Sequence, residues 1–395
     1  MKTLGIVFSN IYDESLGDLT KHRTVASLPF GGRYRQIDFM LSNMVNSNIT
    51  SVGIITKYNY HSLMDHLSTT SEWDLNRKNG GLHILPPFGT GNTNVYRGKI
   101  EALDGASKFI EGVNCEYVLL SDSNVLCNID YQKVMDFHTK SGSDVTIIAN
   151  RIQDSGEKYD LVLKVDGNQQ NQVTDVLVNS AAKDDALCGM GMYLMKKNFL
   201  LEMIADSVAH GYYHFEKHFI QKYFMNGDIK MSAYEFKGIV LRNDSIPKYF
   251  QNNMKLLDEE VRDEIFNSKK PIYTKVRDEV PTHYGEHAEV NECMIADGCR
   301  IDGSVERSIL FRDVSLGKNC VIRNSIIMQG TSIGENVIIE NAIIDKNVII
   351  SNGTKLIGVE SAPVIIKKGE RIMSLSSSKK DKEVEVNRNE GFVCC

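Results

Sequence analysis

The chain has 395 residues, of which 42% are hydrophobic and 24% charged, and its formal net charge is −6. This length exceeds one ordinary hydrophobic core and favours two domains. The acidic balance argues against a nucleic-acid partner, because a duplex-binding protein normally presents a basic face. No apolar run approaches the roughly 20 residues that cross a bilayer, and the N-terminus does not have the pattern of a signal peptide. We therefore expect a cytoplasmic protein with no membrane partner.

The first 250 residues alternate short β-rich runs with stretches of helical periodicity. Strands are predicted at Thr3–Phe8, Ser51–Thr56, Glu116–Leu120 and Asp144–Ala149. Between the first two, apolar residues recur at helical spacing over Arg33–Asn48. Strand, helix and strand in this order imply right-handed βαβ crossovers and a doubly wound, mostly parallel sheet. Ligands bind beyond the carboxyl ends of such strands, so the loops after Phe8 and Leu120 are the expected site.

The period changes after a helical stretch at Pro247–Phe266 and a proline-marked connector at Pro271–Pro281. Aliphatic residues now recur six apart and repeat after 17 residues, as shown by Leu310, Leu316, Ile322, Ile327, Ile333, Ile339, Ile344 and Ile350. Cys293, Cys299 and Val305 are predicted to occupy the equivalent places one shift earlier. Three six-residue steps, with one residue fewer at one corner, give the 17-residue repeat. This pattern is typical of a triangular parallel β-helix, with one apolar residue per face pointing inward.

These periods divide the chain into four segments. An α/β domain is predicted over residues 1–250, a helix and linker over 251–285, a β-helix over 286–372 and a tail over 373–395. The tail is rich in Ser, Lys, Asp and Glu without an apolar face, which predicts disorder.

The eight cysteines form no CxxC array. Most lie among apolar neighbours, a pattern typical of reduced, buried thiols in a cytosolic protein rather than of a disulfide framework or a zinc site. Cys394 and Cys395 follow the polar tail and lack the full prenylation motif, so no role is assigned to them.

Several segments resemble bacterial glucose-1-phosphate adenylyltransferase, also called ADP-glucose pyrophosphorylase. The longest, Pro29–Asn43, reads PFGGRYRQIDFMLSN, and Tyr96–Gly98, His61–Leu63 and Ile295–Glu306 are similar to other family segments. The resemblance implies a Rossmann-like nucleotidyltransferase domain followed by a C-terminal left-handed parallel β-helix of the hexapeptide type. It also implies the family's reaction, in which ATP and glucose 1-phosphate give ADP-glucose and pyrophosphate for glycogen synthesis.

That reaction needs a glycine-rich loop for the triphosphate, carboxylates for Mg²⁺ and a cationic clamp for the sugar phosphate. The sequence departs from the family first at the glycine-rich loop, which is replaced by NIYDES over Asn10–Ser15. Ile11 is expected to obstruct close backbone approach. Asp13 and Glu14 are expected to repel the triphosphate.

The sequence also departs from the family at the metal-binding carboxylates and at the cationic clamp for the sugar phosphate. Asn124 and Arg242 stand in place of the two metal-binding Asp residues, and Asn179 stands in place of the sugar-phosphate Lys. An amide brings no charge for a metal, and an arginine excludes one. We therefore assign no catalytic or metal-binding residue to this chain, expect little or no catalysis by it, and expect Mg²⁺ only in a catalytic partner.

The pattern is similar to the non-catalytic GlgD-type subunits of the family. This resemblance implies a hetero-oligomer, a tetramer by analogy, in which the chain modulates a catalytic subunit. His22, Arg23 and Arg35 fall where the resemblance suggests a site for an anionic, phosphorylated effector, because arginines can clamp a phosphate with paired hydrogen bonds. Surface ion pairs are the alternative for these three residues.

Other polar and aromatic residues allow two interpretations each. Asp122 could serve a shifted metal loop, or it could cap or solvate a loop. Asp130 could be the N-cap of the helix that follows, or an active-site residue. Trp73 and Tyr96 could stack on a base or pack in the core. His61 and His138 are interpreted as structural histidines.

Three further hypotheses compete with the regulatory subunit. The chain could be an active pyrophosphorylase with atypical loop residues, Asp122 among them. It could be a hexapeptide acyltransferase, although such enzymes need a histidine base near the coils and no His follows His287. It could also be a ligand sensor that assembles only with itself.

Overall fold

The computed structural model describes residues 2–10, 13–87, 96–152, 156–167, 171–182 and 186–373. Ile11 and the predicted tail from residue 374 onward, with Cys394 and Cys395, lie outside the described residues. Within this part of the chain six cysteines are free thiols, in agreement with the prediction of reduced cysteines. No helix in the described ranges is long and apolar enough to cross a membrane.

A nine-stranded sheet forms the centre of the first domain. The strands of this domain are β1 (Thr3–Phe8), β2 (Pro29–Phe30), β3 (Tyr34–Arg35), β4 (Ser51–Ile55), β5 (Gly81–Leu85), β6 (Tyr117–Asp122), β7 (Val125–Leu126), β8 (Val145–Ile152), β9 (Lys158–Asp166), β10 (Gln172–Ala181), β11 (Ala186–Lys196), β12 (Met231–Phe236) and β13 (Leu241–Arg242). The order across the main sheet is β5-β4-β1-β6-β11-β8-β12-β10-β9. Only β10 and β11 of these nine run opposite to the rest, so the prediction of a mostly parallel sheet is confirmed.

Helices cover the sheet and lead into the linker. They are α1 (Gln36–Asn46), α2 (His61–His66), α3 (Lys99–Gly105), α4 (Ser107–Gly112), α5 (Tyr131–Ser141), α6 (Lys197–Ala209), α7 (Lys222–Asn226), α8 (Ile246–Met254) and α9 (Glu259–Ile265), with a π-helical turn at Phe215–Gln221. Helix α1 begins at a capping interaction in which the Asp38 carboxylate accepts from the Arg35 backbone N–H at 2.9 Å. Its close approach to β1 depends on Gly5, where a Cβ atom would lie 2.6 Å from the sulfur of Met44.

The sheet topology defines where a ligand should bind. From β1 the chain moves to β4 and β5 on one side, and it later returns to place β6 on the other side. The strand order therefore reverses between β1 and β6, and the crevice beyond their carboxyl ends is the usual ligand site of such sheets. Phe8 ends β1 and pairs directly with Asp122 at the end of β6.

The second domain is the predicted β-helix. Its strands are β14 (His283–Tyr284), β15 (Glu289–Asn291), β16 (Met294–Ile295), β17 (Arg300–Ile301), β18 (Ser304–Glu306), β19 (Ile309–Leu310), β20 (Ser315–Leu316), β21 (Val321–Arg323), β22 (Ile326–Ile327), β23 (Ser332–Ile333), β24 (Ile338–Glu340), β25 (Ala342–Ile344), β26 (Ile349–Ile350), β27 (Lys355–Ile357), β28 (Val364–Ile366) and β29 (Arg371–Ile372). They form three parallel sheets of six, five and five strands. Leu310 pairs with Ile327 and Ile327 with Ile344, which confirms the 17-residue repeat.

The first coil corrects one prediction. Leu310 and Leu316 pair with Ile295 and Ile301 rather than with Cys293 and Cys299, so the predicted places of the two cysteines are wrong. Only Val305 keeps the 17-residue spacing, to Ile322. The reason is a corner at Asp302–Gly303 that is two residues shorter than its successor. Gly303 permits it, because a Cβ atom there would lie 2.8 Å from the Cys320 carbonyl oxygen.

One face of the β-helix belongs to the core of the first domain. Ile309, Ile326 and Ile343 are fully buried in the cluster that contains Phe30 and Tyr249 of the α/β domain. Their neighbours in the sequence, Leu310, Ile327 and Ile344, fill the interior of the β-helix instead. This alternation along each strand joins the two domains through a continuous apolar contact.

We expect Ile339→Val to lower the free energy of unfolding by about 1 kcal/mol, because it removes one methylene group from the filled interior of the coils. Ile339 is fully buried there. The matched control is Ile349→Val, since Ile349 is 42% exposed. Chemical denaturation of both variants should show a loss for the first and almost none for the second. Equal losses would contradict the inward orientation of Ile339.

Candidate functional site

The crevice at the carboxyl ends of β1 and β6 contains Asn124, one of the predicted substitutions. Asn124 lies in the turn between β6 and β7 and is fully buried. Its backbone oxygen accepts a hydrogen bond from the Asn243 N–H at 2.8 Å, but both polar atoms of its side chain have no partner among the described residues. Ser123 Oγ and Asp122 Oδ1 are likewise unpaired. The turn therefore presents four buried polar atoms without partners among the described residues, of which only Asp122 Oδ1 belongs to a carboxyl group.

Arg242 lies on β13, which pairs with β7 and so brings the arginine beside the same turn. Its guanidinium donates to the Gly189 carbonyl oxygen at 2.8 Å and lies 5.5 Å from the ring centre of Tyr159. The side chain is thus fixed as a cation next to the position of Asn124. Such a pair of residues offers a divalent metal no carboxylate.

Asn179 lies apart from this turn, on β10. It is exposed and has a φ of 51°, in the left-handed region that Asn tolerates better than most residues. In the pairing of β10 with β9, Val178 pairs with Leu161 and Ser180 pairs with Tyr159. Asn179, which lies between them, is not part of a residue pair in this register. An asparagine at this position therefore suits the backbone, and no cationic clamp is formed by it.

Asp13 stands in the substituted loop and is a buried structural group. Its carboxylate accepts from the Val25 backbone N–H at 2.8 Å and from the Asn10 amide at 2.5 Å. Burial raises the pKa of Asp13 to about 6 despite these hydrogen bonds and the nearby Lys57. The carboxylate thus holds the loop against the segment that follows it.

The residues with two interpretations now have definite environments. Asp130 is the N-cap of α5, accepting from the Gln132 N–H at 3.0 Å. His138 is buried and hydrogen-bonded to Thr146 at 2.8 Å, as a structural histidine should be. His61, in contrast, is an exposed residue 3.3 Å from Asp65.

The two aromatic residues of this group pack within the protein. Trp73 is 1% exposed and belongs to the main core of the first domain. Tyr96 is half-buried and packs against the second core cluster, next to Gly105. Core packing is therefore the interpretation that the structure supports for Trp73 and Tyr96.

A second concave site, the interdomain cleft, lies between the α/β domain and the β-helix. It is lined by residues of the β2–β3 hairpin, the end of α2, the linker and the corners of three coils: Pro29, Gly32, Arg33, Tyr34, Arg35, His66, Lys275, Arg277, Phe311, Arg312, Gln329 and Lys346. Six of these are Arg or Lys, and the described lining contains no Asp or Glu. The interdomain cleft is therefore strongly cationic and suited to an anion.

The 17-residue repeat explains how the β-helix supplies its part of the lining. Arg312, Gln329 and Lys346 are 17 residues apart, and each follows the strand of the same sheet on successive coils. They therefore stack above one another at one corner. Arg312 is held by Asp297 at 3.1 Å, while Lys346 faces the arginines of the first domain.

Burial and neighbouring like charges shift the pKa values of Arg35 and Lys346 in the interdomain cleft. Burial lowers the pKa of Arg35 to about 10, with Arg23 and Arg277 contributing and Asp38 opposing the shift. Arg35 nevertheless donates to the Ser62 carbonyl oxygen at 2.5 Å and to its hydroxyl at 3.0 Å. Burial lowers the pKa of Lys346 well below its ordinary value, with Arg35 and Arg23 adding to the effect. The cleft thus lacks the negative charge that would stabilise Lys346 as an ammonium.

The three residues predicted for an effector site have different positions. Arg35 lines the interdomain cleft, and His22 is exposed but is not part of the described lining. Arg23 is 3% exposed and lies behind the cleft, where its Nη2 contacts the two carboxylate oxygens of Asp345 at 2.6 and 2.5 Å. The role of these residues in effector binding stays a prediction, now centred on Arg35.

Comparison with known proteins gives the family. Residues 13–239 match the nucleotidyl transferase family, and residues 278–363 match the GlmU-like C-terminal hexapeptide family. The glycogen biosynthesis protein GlgD of Bacillus subtilis (strain 168) is 36% identical over 93% of this chain and 96% of its own length. The chain belongs to the glucose-1-phosphate adenylyltransferase family.

Two proteins of one organism, Geobacillus stearothermophilus, refine this placement within the adenylyltransferase family. Its GlgD protein is 38% identical over 81% of this chain and 83% of its own length. Its glucose-1-phosphate adenylyltransferase is 29% identical over 82% of this chain and 83% of its own length. The similarity is thus greater to GlgD, as the resemblance of the loops predicts.

The residues present do not fit the Mg²⁺ ion that adenylyltransferase chemistry implies. Arg242 pairs with Val125, the residue that follows Asn124, and neither Asn124 nor Arg242 is an anionic ligand. Among the residues described, no group of three or more His, Cys, Asp or Glu side chains is arranged to hold a metal ion. The described residues of this member of the adenylyltransferase family therefore support no metal-dependent step.

Sequence reasoning missed most of the interdomain cleft. Lys275 and Arg277 lie in an extended linker without periodicity, so nothing in their pattern indicates which way they face. Arg312 and Lys346 could have been found, because their separation of 34 residues is twice the coil repeat. Lys99 and Glu216, which meet near Asp122, are far apart in the chain and carry no motif by which they could be paired.

Proposed function

We propose that this chain is a regulatory and structural subunit of glucose-1-phosphate adenylyltransferase in glycogen biosynthesis. In this role it modulates a catalytic partner in a cytoplasmic hetero-oligomer, a tetramer by analogy, and has little or no activity of its own. The contrast between its two sites carries the proposal. Asn124 and Arg242 replace metal-binding charge in the crevice, whereas six basic side chains converge in the interdomain cleft.

The loss of a metal explains why the chain should be inactive alone. A metal ion contributes several kcal/mol to stabilising a phosphoryl-transfer transition state, and each ~1.4 kcal/mol changes the rate about tenfold. Asp122, which could have served an atypical metal site, is paired with Lys99 at 2.9 Å. We therefore expect the chain alone to be at least about 100-fold slower than its catalytic partner.

The interdomain cleft supplies the proposed regulation. A phosphorylated effector would meet Arg35 and Lys346 from opposite domains, so its binding would depend on how the domains are joined. Because the β-helix also packs into the core of the α/β domain, a change at the cleft has a physical connection to the rest of the subunit. The effector's class follows from the cationic lining, which suits phosphate groups.

The test is an assay of ADP-glucose formation from ATP and glucose 1-phosphate with Mg²⁺. It compares this chain alone, a catalytic adenylyltransferase subunit alone and the two co-expressed. We expect no product from this chain alone, and a rate or effector response of the co-expressed pair that differs from the partner alone. Co-purification of the two chains is the accompanying control for assembly.

Three results would overturn the proposal. Robust turnover by this chain alone would show that its loops are catalytic and would favour an atypical pyrophosphorylase. An assembled pair with the same kinetics as the partner alone would remove the modulating role. A homo-oligomer that binds sugar phosphates and does not bind the partner would instead indicate a separate ligand sensor.

A further inference from the structure

A buried group of three charged side chains lies in the crevice where the strand order reverses. The Lys99 ammonium is 2.9 Å from Asp122 Oδ2 and 2.5 Å from Glu216 Oε1. The exposed fractions of the three side chains are 9%, 4% and 17%. Tyr193 donates a further hydrogen bond to Glu216 at 3.3 Å. We name Lys99, Asp122 and Glu216 the crevice triad.

The position of the triad follows from the strands that hold it. Asp122 ends β6, and the Lys99 ammonium lies 5.7 Å from the ring centre of Phe8, which ends β1. These two strand ends flank the crevice in which a doubly wound sheet normally binds its ligand. Lys99 itself begins α3, and Glu216 lies on the π-helical turn. Three separate segments thus meet across the crevice.

The opposite charges of the crevice triad hold its three side chains together across the crevice. Burial lowers the pKa of Lys99, but Asp122 and Glu216 raise it by more, so that Lys99 stays an ammonium ion. This internal cation is held by both buried carboxylates, so the triad offers a polyphosphate no free positive charge. Gly191 is part of the arrangement, because its φ is +69° and a side chain there would collide with the Asp122 carboxylate.

We propose that the side chains of the crevice triad fill and close the nucleotide pocket of this chain. The chain therefore binds neither ATP nor ADP-glucose. A nucleotide would have to separate Lys99 from both carboxylates, leaving buried charges without partners, which is energetically costly. The closure adds to the proposed function, since it removes nucleotide binding as well as catalysis. It does not depend on the regulatory role, which is tested through the partner's kinetics.

The experiment is a binding measurement on the full chain with millimolar ATP or ADP-glucose and Mg²⁺, by calorimetry and by thermal unfolding. The wild-type protein is expected to show no heat of binding and no shift in Tm. The opening variant Lys99→Ala/Asp122→Ala/Glu216→Ala should bind ADP-glucose or ATP with a rise in Tm of several degrees. The matched variant Lys99→Met/Asp122→Asn/Glu216→Gln removes the charges but keeps the volume, so it should bind nucleotide more weakly than the opening variant.

Each outcome decides the proposal. Nucleotide binding by the wild-type chain would overturn it and would leave the regulatory role intact. A folded opening variant that still binds no nucleotide would also overturn it, because the triad would then not be what excludes the ligand. If the opening variant does not fold, Lys99→Thr/Asp122→Ser/Glu216→Gln replaces it, since it leaves no charge of the triad buried without a partner. The wild-type measurement tests the proposal in either case.

Discussion

We expect Asp345→Ala to lower the free energy of unfolding by about 3–5 kcal/mol, because it leaves the guanidinium of Arg23 buried without its counter-ion. The side chains of Arg23 and Asp345 are 4% and 1% exposed, and they join the first domain to the β-helix across 322 residues of sequence. Arg35 and Lys346 lie near the same arginine, so its charge would be further disfavoured. Denaturation at fixed protein concentration measures the loss.

Two control variants separate the ion pair from the packing around it. Arg323→Ala removes an exposed arginine that joins Glu306 and Glu340 at 3.3 and 3.0 Å, and should cost less than about 1 kcal/mol. The double variant Arg23→Met/Asp345→Leu removes both buried charges together and should retain most of the stability. A loss in this double variant as large as in Asp345→Ala would show that volume, and not the unpaired charge, controls the junction.

The sequence predicted the parts of the fold that repeat. The 17-residue period placed Leu310, Ile327 and Ile344 in the interior of the coils, because a β-helix needs the same residue type at every equivalent position. The same reasoning was wrong at Cys293 and Cys299, where one shortened corner changed the register. A local change of two residues leaves the hydrophobic pattern almost unaltered, so periodicity alone does not reveal it.

The candidate site was only partly predictable, for a related reason. Asn124 and Arg242 were identified by position in a family pattern, and the structure places Asn124 in the turn before β7 and Arg242 on β13, which pairs with β7. The positions of the predicted effector residues depend on which surfaces of the two domains are in contact. A sequence pattern within one segment does not determine these contacts. Arg23 therefore turned out to bind Asp345, whereas Lys346, two coils along from Arg312, faces the interdomain cleft.

Binding of an inorganic anion in the interdomain cleft should become tighter as pH falls. In the free protein, burial and neighbouring arginines lower the pKa of Lys346 well below its ordinary value. A bound anion favours the ammonium form and raises this pKa, so binding takes up a proton. Affinity therefore rises as pH decreases from the pKa of the bound form to that of the free form, and levels off below it.

Sulfate is the suitable probe, because a phosphate monoester changes charge near pH 6. Calorimetric titration of the full chain over a pH series gives the affinity, and repeating it in buffers of different ionisation enthalpy gives the proton uptake. Arg35→Gln should weaken sulfate binding by about 10–100-fold across the series, since a charged hydrogen bond contributes about 1.5–3 kcal/mol. Lys346→Met should weaken it only at low pH, where the lysine is charged.

The exposed Lys318 provides the matched control for this prediction. Lys318→Met removes the same side chain from another part of the β-helix and should leave both affinity and proton uptake unchanged. If Lys346→Met lost affinity equally at every pH, Lys346 would be an ammonium already in the free cleft. An unchanged affinity at every pH would place the anion elsewhere. Only a loss that grows as pH falls, together with abolished proton uptake, agrees with a neutral lysine that is charged by the ligand it binds.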